Sequence, residues 1–250
     1  MSSDLFQYVI RLGDNALING QRLAQWCGHG PFLEEDLALT NTALDLIGRA
    51  RMLLTYAGEV EGQGRGEDDL AYFRNEREFR NFHIMELPVG DFAFTTARQF
   101  LVDAYDYHYY LALQDSADTT LAAIAAKTLK ECEYHLRHSS EWMVRLGDGT
   151  EESHEKITRA VTELMPFTPE LFAADGIDRA MQQQGIGVDL DSIETSWNTE
   201  VDRVFSDALL ERPQASFTRG GGRQGLHSEH MGFLLAEMQS LQRTYPGLNW

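Results

Sequence analysis

The sequence predicts an all-α protein. Three observations carry that expectation: long intervals with apolar residues three and four apart, prolines gathered in the connections, and no alternating apolar and polar run of the kind a strand needs. Only 6 of the 250 residues are proline, and Pro31, Pro88, Pro213 and Pro246 sit between helical patterns. A chain of this length fits one large core, so a single domain over 1–250 is expected.

The first helix is expected over 4–27, where Leu5, Tyr8, Leu12, Ala16, Leu23 and Trp26 recur at helical spacing before Cys27-Gly28-His29-Gly30-Pro31. The second runs over 33–60 and ends at Gly62-Gln63-Gly64-Arg65-Gly66, with Leu37, Asn41, Leu44, Asp45, Gly48 and Met52 read as its inner stripe. A shorter helix over 67–83 makes a crossover, closed by Pro88-Val89-Gly90. The third long helix, 91–114, starts at an Asp91 cap and is rich in aromatics. The fourth, 118–146, starts at Asp118 and stops at Gly147-Asp148-Gly149. Shorter accessory helices follow within 151–244, at 151–165, 168–183, 190–210 and 225–244. Two long helical hairpins joined by a crossover make the ferritin-like plan, a four-helix bundle with additional C-terminal helices.

The charge narrows the function. With 21 Lys and Arg against 39 Asp and Glu, the net charge of −18 repels nucleic acid and anionic lipid while leaving protein partners open. Cys27 and Cys132 make no disulfide framework, which fits a reducing compartment. No apolar run long enough to span a membrane and no basic region followed by an apolar one is present, so a cytoplasmic protein is expected.

Bundles of this plan place two metal ions among a carboxylate from each of two helices and a Glu-x-x-His motif from each of the other two. Neither motif is present. On the fourth helix His135 shares a stripe with Thr128, Cys132, Ser139 and Trp142, so the position three before it is Cys132. Glu131 and Glu133 point away from that stripe. On the second helix the corresponding pair is Asp45 and Gly48, without an imidazole. The third helix offers Asp103.

Leu12-Gly13-Asp14-Asn15, Gln21-Arg22-Leu23-Ala24-Gln25-Trp26-Cys27-Gly28-His29, Asp36-Leu37-Ala38-Leu39 and Gly225-Leu226-His227-Ser228-Glu229-His230 resemble the structural C subunits of phenylacetyl-CoA epoxidases. These are multicomponent di-iron oxygenases. The resemblance runs from about residue 5 to residue 250. It implies a cofactor-free subunit that pairs with a related catalytic A subunit, which carries the di-iron centre. That complex converts phenylacetyl-CoA to its ring 1,2-epoxide with O₂ and electrons passed from NADPH through a reductase. The more remote likeness to the catalytic subunit puts its ligand positions on Asp45, Gly48, Asp103, Cys132 and His135, a degenerate set. A chain of this kind is expected to be inactive alone and to form a hetero-oligomer, or a homodimer when isolated. The rival is a catalytic chain that binds metal itself through Asp45, Asp103, Glu133 and His135 after a local rotation.

Three further features invite a reading. His227-x-Glu229-His230 has the residue types of a metal cluster, but at a helix start it more often serves capping and polar surface. Arg219-Gly220-Gly221-Gly222-Arg223 lacks the strand and the Lys-Ser/Thr that a phosphate-binding loop needs, and a flexible loop at a subunit contact is expected instead. Finally, Arg74, Arg77, Glu78, Phe79, Arg80 and Asn81 concentrate positive charge in an acidic chain. A helix there places the arginines on one flank, either solvated and paired with Glu76 and Glu78 or in contact with a CoA phosphate or a partner.

Overall fold

The computed structural model describes residues 2–214 and 217–248. Every regular element among them is helical: α1 (Ser2–Ala24), α2 (Leu33–Glu61), α3 (Glu67–Tyr72), α4 (His83–Glu86), α5 (Phe92–Leu113), α6 (Thr119–Gly147), α7 (Glu151–Leu164), α8 (Pro169–Phe172), α9 (Gly176–Gln183), α10 (Leu190–Asp207) and α11 (Glu229–Thr244). Single 3₁₀ turns lie at Glu76–Glu78, Met165–Phe167 and Gly222–Gln224. The four long helices fall where the periodicity predicts them. The backbone groups into two compact units, Met1–Pro88 with Gly220–Trp250, and Val89–Arg219.

In the first unit α1 and α2 pack along their length as a hairpin. Every residue of α1 from Tyr8 to Gly20 is buried, including Arg11, Asp14, Asn15 and Asn19. The buried face of α2 is Leu39, Ala43, Leu46, Ala50, Leu53, Leu54 and Ala57. This corrects the expected stripe: Leu37 and Leu44 are 54% and 61% exposed, and Asn41 and Gly48 are exposed with them. Leucines occur on both sides of α2. The side that carries the alanines is the one that allows close packing.

The expected helix over 67–83 is also corrected. It breaks after Tyr72 because Arg74 turns inward, donating from Nε to the Leu70 carbonyl at 2.5 Å. The extended Asn75 then starts a 3₁₀ turn, its N–H donating to the Glu78 carboxylate at 2.7 Å. Phe79 and Phe82 are fully buried in the segment that follows. Long-range burial overrides local helical pattern here.

The second unit is built on α5, whose Phe100, Leu101, Val102, Tyr105, Tyr109 and Tyr110 are buried against α6, α7 and α10. Asp91 caps α5 by accepting from the Phe94 N–H at 2.8 Å, and Asp118 caps α6 through the N–H groups of Thr120 and Leu121. The expected 168–183 helix divides into α8 and α9, since Asp175 makes a fresh cap for the second piece. Likewise the 225–244 helix begins only at Glu229, with Ser228 as its cap. Trp197 of α10 is 1% exposed, donates from Nε1 to the Leu101 carbonyl at 2.9 Å and meets the Phe172 ring edge-on at 5.2 Å. Trp197→Ala is therefore expected to lower unfolding free energy by about 3–5 kcal/mol, measured by denaturant titration.

Candidate functional site

Two places in the chain gather polar groups away from water. The first lies in the crossover of the first unit. Asp14, fully buried on α1, pairs with Arg74, which donates from both terminal guanidinium nitrogens to the two carboxylate oxygens, one of these bonds measuring 3.0 Å. The Arg80 N–H also donates to Asp14, at 2.8 Å. Arg74 further donates to the Glu78 carbonyl at 3.0 Å, and its guanidinium lies 4.1 Å from the centre of the Phe79 ring. A bidentate pair of this kind is among the stronger charge-assisted contacts.

A second buried pair lies a few residues on. Glu86 and His227 have wholly buried side chains and meet at 2.7 Å through Nδ1. The other ring nitrogen of His227 faces the Phe79 carbonyl at 3.2 Å. With an acceptor against each nitrogen, the geometry favours the doubly protonated imidazolium. Glu86 also accepts from the Ser228 N–H at 2.5 Å and from Asn81 Nδ2 at 3.0 Å. Arg22 ties α1 to both ends of this arrangement, donating to the Glu86 carbonyl at 2.9 Å and the His230 carbonyl at 3.1 Å.

Electrostatics follow this geometry. Burial alone pushes the Glu86 carboxyl up, but His227 and the Ser228 N–H outweigh it, leaving the pKa below the ordinary 4.5. Burial pushes His227 down, while Glu86 and the Phe79 carbonyl outweigh that and leave it above 6.5. Arg80 is held below its usual value by burial first, opposed by Asp14, with Arg74 and Arg11 adding to the lowering.

The glycine-rich segment closes over this cluster. A Cβ on Gly222 would lie 1.9 Å from the Asn81 carbonyl oxygen, and one on Gly225 would lie 2.4 Å from that of Arg77. These glycines permit backbone to lie on backbone.

The expected arginine flank is thus divided. Arg74, Phe79 and Asn81 are buried, so Arg74 does not belong to a solvated arginine flank. Arg77 and Glu78 are exposed, and Arg80 is half-buried, with its guanidinium on the Arg77 and Phe79 carbonyls at 2.6 and 2.7 Å. His227 turns to Glu86 rather than to Glu229 and His230. The sequence reading missed Asp14, Asn15, Arg22 and Glu86. The available signal was a charged and amide pair, Asp14-Asn15, inside an otherwise apolar helical stripe.

The second place lies on α5 and α6 of the second unit, and holds three of the positions that the resemblance marks as degenerate ligands. In the second unit Asp103, Cys132 and His135 are buried, with Thr128 and Ser139 on the same side of α6. Gln99 donates to Asp103 at 3.2 Å. In the first unit Asp45 is half-buried and Gly48 is exposed with nothing near its Cβ direction. Glu133 is exposed, two residues and about 200° around α6 from buried His135, so the proposed rotation would have to carry it across the helix. No group of three or more His, Cys, Asp or Glu among the described residues is placed to hold a metal ion. The residues present do not fit a di-iron centre, and no chemical step is assigned to one in this chain.

Also among the described residues, no helix is long and apolar enough to cross a membrane. The described residues form helices and no strand, which defines an all-α protein. The profile of the phenylacetic acid catabolic proteins, an all-helical, ferritin-like family, matches residues 1–250, and the chain belongs to that family. It is 49% identical over 248 residues to the C subunit of the 1,2-phenylacetyl-CoA epoxidase of Escherichia coli (strain K12), covering 99% of this chain and 100% of that protein.

The paired shifts give a signed pH prediction. The Glu86 contribution is present above 4.5 and lost as pH falls through its lowered pKa; that of His227 is present below 6.5 and lost as pH rises through its raised pKa. The stability difference between the unaltered chain and His227→Gln should therefore be largest between pH 4.5 and 6.5 and shrink toward pH 9, followed by urea unfolding at each pH. A difference that grows with pH would mean the imidazole is buried neutral.

Proposed function

We propose that the chain is the non-catalytic partner subunit of a phenylacetyl-CoA epoxidase. In this role it supports a related catalytic subunit that holds the di-iron centre and forms the ring 1,2-epoxide with O₂ and reductase-delivered electrons from NADPH. The observation that carries the reading is full-length similarity to a protein named as the C subunit of that enzyme, at 49% identity. The degenerate positions support it: Gly48 offers no side-chain ligand, and Cys132 stands where a carboxylate is needed.

The subunit's contribution is packing. Phe32, Leu33, Leu37 and Leu44 are exposed, the leucines lining the outward side of α2 with Gly48, an apolar strip of the kind that partner chains cover. The neighbouring helices of a catalytic subunit would be held in shape by such a contact. Elemental analysis of the chain produced with excess iron tests the reading: well under one iron per chain is expected, and two irons with a di-iron absorption spectrum would overturn it.

Arg77 and Arg80 remain available for contact with the CoA phosphates or a partner, since neither side chain is ion-paired among the described residues. In an assembled complex Arg77→Glu with Arg80→Glu should raise the apparent KM for phenylacetyl-CoA, less so as salt screens the charges over about 8 Å at physiological ionic strength. An unchanged KM at low salt in an intact complex would leave them as surface charges.

A further inference from the structure

We propose that the groove between α6 and α10 is a binding site for a small zwitterion with an apolar side chain, of which an α-amino acid is the simplest member. The groove has a volume of about 690 Å³, within the range of small-molecule sites. Leu136 and Val144 of α6, Val204 of α10 and Tyr107 of α5 supply its apolar surface. The site is independent of the subunit role and lies within the second unit.

Its charges fall into two groups. Arg203 is satisfied by Glu200 at 2.6 Å and Asp207 at 3.0 Å, and Arg145 approaches Glu141 at 3.7 Å. Among the described residues, neither Glu133 nor Arg137 forms an ion pair, although they sit one turn apart on α6 and both line the groove. The Arg137 guanidinium lies only over the Tyr134 ring, 5.6 Å from its centre. One turn separates Cβ atoms by about 5–6 Å, so a ligand bridging the two must carry opposite charges close together.

A third group strengthens the assignment. The Ser140 hydroxyl, one turn from Arg137 and also on the groove, is shielded from solvent and has no hydrogen-bond partner among the described residues. Such groups ordinarily find one, and a ligand carboxylate or ammonium supplies it. The surrounding field selects further. A simple anion meets a chain of net charge −18 and three groove carboxylates, whereas a neutral zwitterion meets no such barrier. Arg137 takes the carboxylate, Glu133 the ammonium, and the apolar side chain lies on Leu136, Val144 and Val204.

L-Phenylalanine is the probe, titrated into the full chain by calorimetry, with 3-phenylpropionate and phenethylamine as isosteres lacking one charge each. L-Phenylalanine is expected to bind saturably, and each isostere at least about tenfold more weakly, as loss of a charge-assisted bond implies. Arg137→Gln and Glu133→Gln should weaken it similarly, with melting temperatures confirming that both fold, while Arg159→Gln, outside the groove, should leave binding unchanged. No saturable binding of L-phenylalanine up to about 10 mM, equal binding of 3-phenylpropionate, or indifference to both groove variants would each overturn the assignment.

Discussion

The fold of the first unit depends on the carboxylate of Asp14. It is buried on a helix that is shielded on all sides, and a lone buried carboxylate would be too costly to keep charged. Arg74 and the Arg80 N–H supply its partners, and to bring them there the crossover must stop being a helix after Tyr72. The break then sets Phe79, Phe82 and Asn81 into the core and turns Glu86 toward His227. Removing one partner of such a pair costs about 3–5 kcal/mol, so the break, the buried aromatics and the glycine strap over them stand together.

That dependence explains which parts of the fold were legible in the sequence. Helix ends marked by local chemistry were readable: Asp91 and Asp118 cap their helices as expected, and Gly62 ends α2. The 67–83 segment was not, because its helical spacing is genuine and the group that defeats it is 60 residues away. The stripe on α2 failed for a different reason. Leu37 and Leu44 look like core residues by hydrophobicity, yet the alanines opposite them permit the tighter helix contact, and the leucines are left outside. For a subunit, an apolar side turned outward is informative in itself.

The candidate site was legible in one respect and obscure in another. His135 lies on a buried side of α6 with Thr128, Cys132 and Ser139, as periodicity anticipates, and Glu133 lies on the exposed one. The pairing of Glu86 with His227 was hidden by 141 residues of separation and by a nearer decoy, since Glu229 and His230 complete a metal-like motif in sequence alone. Arg74 was misjudged with its neighbours because regular spacing suggests a shared flank only where the backbone stays helical. Glu76, Arg77 and Glu78 of that segment stay exposed, on a 3₁₀ turn in place of the expected helix.

In the proposed role this chain completes an oxygenase without performing the chemistry. Co-expression with the catalytic subunit of a phenylacetyl-CoA epoxidase, followed by purification and assay with phenylacetyl-CoA, NADPH, O₂ and the reductase, tests it most directly. A stable complex of the two chains that forms the ring epoxide is expected, with this chain inactive alone and the catalytic subunit impaired without it. Turnover by this chain alone, or full activity of the catalytic subunit in its absence, would rule out a non-catalytic supporting role.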